Sequence, residues 1–236
     1  MTESNLEPNK VDLITSVAKS LLGAVPVAGN ALSELIGQLI PNQRIDRLTK
    51  YILALENKLS NISAEKLKEI WKDENCLNLF EEGFIQASLT TSEERRIQMA
   101  SVVKNGIDND SISYSESKYL LKLLNELNDQ EIIWLRYHLN PAIGSDAEFY
   151  EKHKNILEPI HAYYGADDTL LEKAALQDSY KEHLERLGLV QPKYRLNRDT
   201  KMPEFDRFSG KPSVSYVCIS RLGRLVLKQI DMLDSE

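Results

Sequence analysis

Apolar residues recur every three or four positions along most of this chain, the period of helices that bury one face. Residues 11–24 place Val11, Ile14, Val17, Ala18, Leu21 and Leu22 on one side. Pro26 and Gly29 interrupt the pattern within Val25-Pro-Val-Ala-Gly-Asn30, and a second helical stretch over residues 30–40 is stopped by Pro41. Residues 43–62 carry Ile45, Leu48, Ile52, Leu55, Leu59 and Ile62 at alternating spacings of three and four. That is a helix-packing seam, too short for a sustained coiled coil.

The helical pattern continues in shorter pieces. Ser63 is placed to cap a helix over residues 64–72, and residues 74–89 show a stripe of Leu77, Phe80, Phe84, Ile85 and Leu89. Thr91-Ser-Glu-Glu94 reads as a capping box opening a helix that ends near Gly106, with Ile97, Ala100, Val103 and Ile107 facing inward. After the polar turn at Asn109-Asp-Ser-Ile-Ser113, Ser115 starts a helix burying Leu120, Leu123, Leu124 and Leu127. Asn128 with Glu131 caps the next, which carries Ile132, Ile133, Leu135 and Leu139 and ends at Pro141 and Gly144.

Residues 145–164 have a weaker pattern, broken by Pro159, and read as a helical excursion. Helix resumes over residues 169–187 and is capped by Gly188. Residues 191–212 are polar and hold three prolines and a glycine, with a strand-like piece at 193–196. Val214–Ile219 is the most convincing strand, and Ser220 then caps a last helix over residues 222–233. The expectation is a mainly α protein of roughly nine helices, with a small winged-helix-like C-terminal part containing a short β-hairpin. It divides into an apolar hairpin with a heptad-like helix (1–62), a helical body (63–140), and the excursion with the C-terminal module (141–236). No βαβ alternation supports a doubly wound sheet.

Composition narrows the class. The chain has 236 residues, a formal net charge of −7 and 42% apolar residues, the balance of a folded soluble protein rather than of disorder. The polar, acidic start argues against a secretory signal. Cys76 and Cys218 lie far apart and are expected as reduced thiols. Charge is uneven: residues 186–228 hold ten basic and three acidic side chains, a local +7 that leaves −14 for the rest. Such asymmetry points to an anionic partner, with Arg186, Lys193, Arg195, Arg198, Arg221 and Arg224 as its candidate contacts.

A second candidate lies near the N-terminus. Glu34 is the sole charge between Ser20 and Gln43, and Gly29, Ser33 and Gly37 fall at i, i+4 and i+8, a spacing that lets helices approach closely in lipid or in a core. Leu32, Leu35, Ile36, Leu39 and Ile40 lie beside that stripe. The uncharged run is shorter than a lone membrane-spanning helix, so the segment reads as a buried hairpin or as an element that docks on a membrane or self-associates.

Catalytic signatures are absent. Of the four histidines, His138, His153, His161 and His183, only Glu158-Pro-Ile-His161 has a carboxylate at di-metal spacing, and such a site needs a second pair and two more carboxylates. There is no nucleophile elbow, phosphate-binding loop or zincin motif. Neither an enzyme activity, a metal nor a cofactor is expected.

Leu184-Glu-Arg-Leu-Gly-Leu-Val190 followed by Tyr216-Val-Cys-Ile-Ser-Arg-Leu-Gly223 looks like the close of a winged-helix module. The helix before the wing carries Asp178, Glu182 and Glu185 beside Lys181 and Arg186, a poor reader of a phosphate-lined groove.

From Leu77 onward a set of helix motifs, from Leu79-Phe-Glu-Glu-Gly-Phe-Ile-Gln-Ala-Ser-Leu89 to Ser220-Arg-Leu-Gly223, resembles Abi-alpha, a bacterial family linked to abortive infection. The matching pieces are Leu79-Phe-Glu-Glu-Gly-Phe-Ile-Gln-Ala-Ser-Leu89, Ser92-Glu-Glu-Arg-Arg-Ile-Gln-Met-Ala-Ser-Val-Val-Lys-Asn-Gly106, and the leucine-rich stretch 119–127 feeding Asn128-Asp-Gln-Glu-Ile-Ile133. The ending Leu187-Gly-Leu-Val190 with Ser220-Arg-Leu-Gly223 completes the pattern. The resemblance implies a mostly helical protein of phage defence, with no active site to carry over. The excursion at 145–164 is additional to the pattern, and the Val-Pro-Val-Ala-Gly segment looks more like a membrane-active effector segment.

Together these readings favour a non-enzymatic antiviral-defence protein, cytoplasmic or peripheral to the inner membrane. It would work through a protein partner or self-association, with membrane contact through the N-terminal hairpin. The alternative is a winged-helix DNA-binding regulator, nucleic acid being the less favoured partner.

Overall fold

The computed structural model describes residues 42–233, apart from 71, 109–111, 140–145, 162, 164, 206–209 and 211. Ten helices and one two-stranded antiparallel sheet lie among the described residues, so the chain is mainly helical with a small sheet near its C-terminus. The chain forms two compact units. One runs to Glu126 and takes in Gln229–Asp231; the other runs from Leu127 to Lys228 and resumes at Met232.

The first unit contains α1 (Asn42–Leu59), α2 (Ala64–Ile70), α3 (Glu74–Leu89), α4 (Glu93–Asp108) and α5 (Tyr114–Glu126). In α1 the heptad-like seam is the core face: Leu48, Ile52, Leu55 and Leu59 are buried, joined by Tyr51. Helix α3 passes close to α1 at Gly83, where a methyl group would strike the Tyr51 side chain and lie 2.9 Å from Val103 Cγ2. The adjacent Phe84 meets the Tyr51 ring edge-on at 5.4 Å. Ser63 caps α2, its Oγ accepting from the Lys66 N–H at 3.2 Å.

Helix α4 departs from its expected pattern. It packs against α1, α3 and α5, so it buries Met99, Val102 and Ser101 as well as Ala100, Val103 and Ile107, and Ile97 turns outward. A helix with neighbours on three sides has no single apolar stripe. The capping box at Thr91 is also displaced. Ser92 is the cap, its Oγ accepting from Arg95 N–H at 3.2 Å, and the third helical position is Arg95 instead of a glutamate. That register sends Arg95 inward, where its Nη1 donates to Leu124 O at 2.9 Å. Arg96 donates to Thr90 O at 3.1 Å and Arg47 to Leu89 O at 3.4 Å. Buried Arg95 and Arg96 and half-buried Arg47 thus satisfy orphan carbonyls at the ends of α5 and α3, where the helix dipole favours a cation. Ser113, two residues before the expected start, caps α5 in a reciprocal box with Glu116.

The second unit contains α6 (Asp129–Tyr137), α7 (Ala147–Lys152), α8 (Lys154–Leu157), α9 (Asp168–Arg186), β1 (Val190–Tyr194), β2 (Val214–Ile219) and α10 (Arg221–Gln229). The capping box of Asn128 and Glu131 is present in α6. The excursion holds α7 and α8 and is tied to α9 by the buried Gln177. Its Nε2 donates to Ile156 O and Glu158 O at 3.1 and 2.9 Å, and its Oε1 accepts from Ile160 N–H at 3.0 Å. Helix α9 ends in a paired turn in which Gly188 N–H donates to Glu185 O and Leu189 N–H to Leu184 O, with Gly188 at φ +70.

β1 and β2 pair antiparallel, Val190 opposite Ile219 and Lys193 opposite Tyr216, with an irregularity at Lys193/Tyr194. Beyond β1 the chain turns back on itself. Leu196 bridges Pro203 and Phe205 bridges Pro212, so the expected hairpin is a longer folded ribbon. Three backbone hydrogen bonds close a ring in it: Arg195 N–H to Ser213 O, Ser213 N–H to Glu204 O, and Glu204 N–H to Arg195 O, at 2.7–2.9 Å. Ser220 joins the sheet to α10. Its Oγ donates to Gly188 O and accepts from Gly223 N–H. Helix α10 stops at Gln229, before the expected residue 233, and Asp231 follows at φ +57.

Candidate functional site

The uncharged N-terminal stripe of Gly29, Ser33 and Gly37, with Leu32, Leu35, Ile36, Leu39 and Ile40, lies outside the described residues. Among those described, no helix is long and apolar enough to cross a membrane.

The basic residues all fall in the second unit. Arg186 closes α9, Lys193 lies on β1, Arg195 enters the folded ribbon, and Arg198 follows the Asn197 turn. Arg221 and Arg224 begin α10 and, with Lys228, occupy positions i, i+3 and i+7. The opposite side of α10 buries Gly223, Val226 and Leu227, so its exposed face is entirely basic. All seven side chains are exposed, and no ion pair engages them among the described residues.

The same ribbon also presents apolar surface that the sequence analysis did not single out. Tyr194, Leu196, Met202, Phe205, Val214 and Tyr216 are each 40–68% exposed, too much for a core contribution. Cross-strand register sets Tyr216 opposite Lys193 and Val214 opposite Tyr194, and Val214 and Tyr216, two residues apart on β2, share a face. Val214, Ser215 and Tyr216 are exposed in succession, so both faces of the sheet are wet at this end.

A polar cluster of different character links α6 and α9. The Glu131 carboxylate, 3% exposed, accepts from Asn128 N–H at 2.7 Å and lies 2.7 Å from His183 Nδ1. Lys181 Nζ stands 4.8 Å from the centre of the Trp134 ring. His138 is buried against Trp134 and Tyr137, and among the described residues its Nδ1, like Trp134 Nε1, has no hydrogen-bond partner. Burial, with the Lys181 charge added, holds the His138 pKa down at about 4. A carboxylate-oriented histidine is half of a general-base dyad, yet among the described residues Glu131 is the one polar partner of His183. The Glu131–His183 contact clamps α6 to α9.

His138 makes the second unit pH-sensitive. A folded-state pKa near 4 against the ordinary 6.5 means that the unfolded chain takes up the proton first. This contribution is intact above pH 6.5 and is lost as pH falls towards 4, by about 3 kcal/mol in all. Urea midpoints measured between pH 7 and pH 4.5 should fall more steeply for wild type than for His138→Phe. Parallel profiles would refute the assignment.

Glu158 and His161 are both exposed, and among the described residues no group of three or more His, Cys, Asp or Glu side chains converges as a metal site. Cys76 and Cys218 are free thiols. Burial, reinforced by Asp73, pushes the Cys76 thiol up to about 12 against a hydrogen bond with Tyr114, which makes it a poor nucleophile.

No family model, no curated protein and no solved structure matches this chain. The surfaces of the second unit must therefore be read from their own chemistry.

Proposed function

We propose that this chain is a non-enzymatic bacterial defence protein of the abortive-infection kind. It holds an acidic protein surface on its winged-helix-like C-terminal part and sits in the cytoplasm or against the inner membrane. The observation that carries this reading is the set of exposed basic side chains on the ribbon and on α10, which no acidic group neutralises among the described residues. Opposite charge across such a contact gives specificity and speed of encounter. The mainly helical body and the resemblance running from Leu77 onward support the defence role.

The test is a plaque assay on bacteria carrying the full chain or its Arg221→Glu/Arg224→Glu variant. Wild type should lower plaque number, and the variant should lose protection while keeping its melting temperature. Equal protection by the variant, or none by wild type against a broad phage panel, would overturn the reading. The membrane element is tested by liposome flotation: wild type should float, and Gly29→Leu/Gly37→Leu should not.

A winged-helix DNA-binding regulator is the second reading, favoured by the same arginines. It requires salt-dependent retention of duplex DNA that weakens when Arg221 and Arg224 are neutralised. Opposing it, the exposed positions of α9 include Asp168, Glu172, Asp178, Glu182 and Glu185 against Lys173 and Arg186. Those carboxylates would repel phosphates.

A further inference from the structure

The ribbon is short of cover. A two-stranded ribbon is marginally stable in water unless something packs on it. This one leaves six large apolar side chains exposed, and its cations have no acidic partners among the described residues. What covers it must bring both carboxylates and aliphatic surface.

Helix α9 offers that combination. Of its 19 residues only Ala174, Gln177 and Leu184 are buried, a narrow stripe along one side. On the far side Asp168, Glu172 and Leu176 follow one another at i, i+4 and i+8, a single ridge, with Leu171 next to it. Leu171 and Leu176 are 40% and 55% exposed. An acidic helix face bearing leucines thus lies on the same unit as a basic ribbon bearing Leu196, Phe205 and Tyr216. Both surfaces are exposed within one chain, so they do not cover each other internally.

We infer that the chain pairs with a second copy of itself, the Asp168–Glu172–Leu176 ridge of each α9 seating on the Arg195–Leu196–Arg198 stretch of the other's ribbon. Two-fold symmetry makes the arrangement self-complementary, since each copy contributes one acidic and one basic surface and the contact forms twice. A nucleic acid would neutralise the ribbon but would leave its aliphatic side chains uncovered, and it would meet the carboxylates of α9. The inference rests on the proposed function in that it names the acidic surface the ribbon holds.

Sedimentation of the full chain tests it. Wild type at low salt should sediment at twice the chain's mass and shift to monomer as salt rises, because the contact is charge-assisted. Asp168→Arg/Glu172→Arg and Arg195→Glu/Arg198→Glu should each be monomeric with unchanged circular dichroism. Their equimolar mixture should regain the dimer, because each reversed surface then meets its opposite. A wild-type monomer throughout, or association indifferent to salt and to both reversals, would overturn the inference. So would a monomer that retains single-stranded DNA through Arg195 and Arg198. The salt series needs no substitution, so it reads the contact even if a variant misfolds. A monomeric wild type whose protection against phage still depends on Arg221 and Arg224 would sink the pairing while leaving the proposed function standing.

Discussion

Replacing Gly223 with alanine should destabilise the second unit by about 3 kcal/mol or more, near the upper end of what overpacking costs. The new methyl group would fall on the backbone oxygen of Leu189, 2.7 Å from Ile219 Cγ1 and 3.2 Å from Leu135 Cδ1. Side chains can swing away from such a clash, but the Leu189 backbone cannot. Its N–H is bound to Leu184 O and its oxygen accepts from Ser220 N–H. Relief would require the turn after α9 and the start of α10 to part, dissolving the junction that carries the sheet. Gly188→Ala is the control. Gly188 sits at φ +70 with nothing near the added methyl, so its cost is the left-handed backbone penalty alone, about 1–2 kcal/mol. Hydrogen exchange should show the loss of protection concentrated between Leu127 and Lys228 for Gly223→Ala. Equal stability of the two variants would mean that the close approach is not needed.

Glu131→Ala should cost about 3 kcal/mol, since the carboxylate serves two partners at once. It accepts from Asn128 N–H to complete the capping box, and losing that one bond costs about 1 kcal/mol, since the Asn128 side chain still caps the residue 131 N–H. It also anchors His183 from within the packed unit, and hydrogen bonds to a buried charge contribute about 1.5–3 kcal/mol. Glu131→Gln keeps an oxygen for Asn128 N–H, so it should lose less than half as much. A double-mutant cycle with His183→Ala separates the two roles: a coupling energy near zero in urea unfolding would show that the clamp across α6 and α9 contributes nothing.

Much of this architecture was legible from hydropathy because most helices have one wet face. The seam from Leu48 to Leu59, the bounds of α3, and the cap at Asn128 follow from apolar spacing and hydrogen-bonding side chains alone. The failures have a common physical cause. Ile97 faces outward because α4 is wrapped by three helices, a condition no local pattern records. Arg95 and Arg96 look like solvated charges in sequence, whereas they are donors to carbonyls left over at neighbouring helix ends. The folded ribbon was seen only at its strand ends, since both its faces are wet and no apolar–polar alternation marks it. Of the candidate site, the excess of positive charge was readable. Its apolar neighbours Leu196, Met202 and Phe205 were not, because exposure is a property of the fold.

The ring of Arg195, Glu204 and Ser213 restricts how this molecule can vary over evolution. Each of its three backbone bonds fixes the length of one arm of chain, much as the sides of a triangle fix its angles. The arm from Arg195 to Glu204 is further fixed by the Asn197 side chain, which accepts from the N–H groups of Asp199 and Thr200. Asn197 apart, side chains take no part in these bonds and can be exchanged, but one residue gained or lost would turn its neighbours to the opposite face. Substitution can therefore retune the ribbon's affinity one residue at a time, whereas a change in its length would have to be compensated at once.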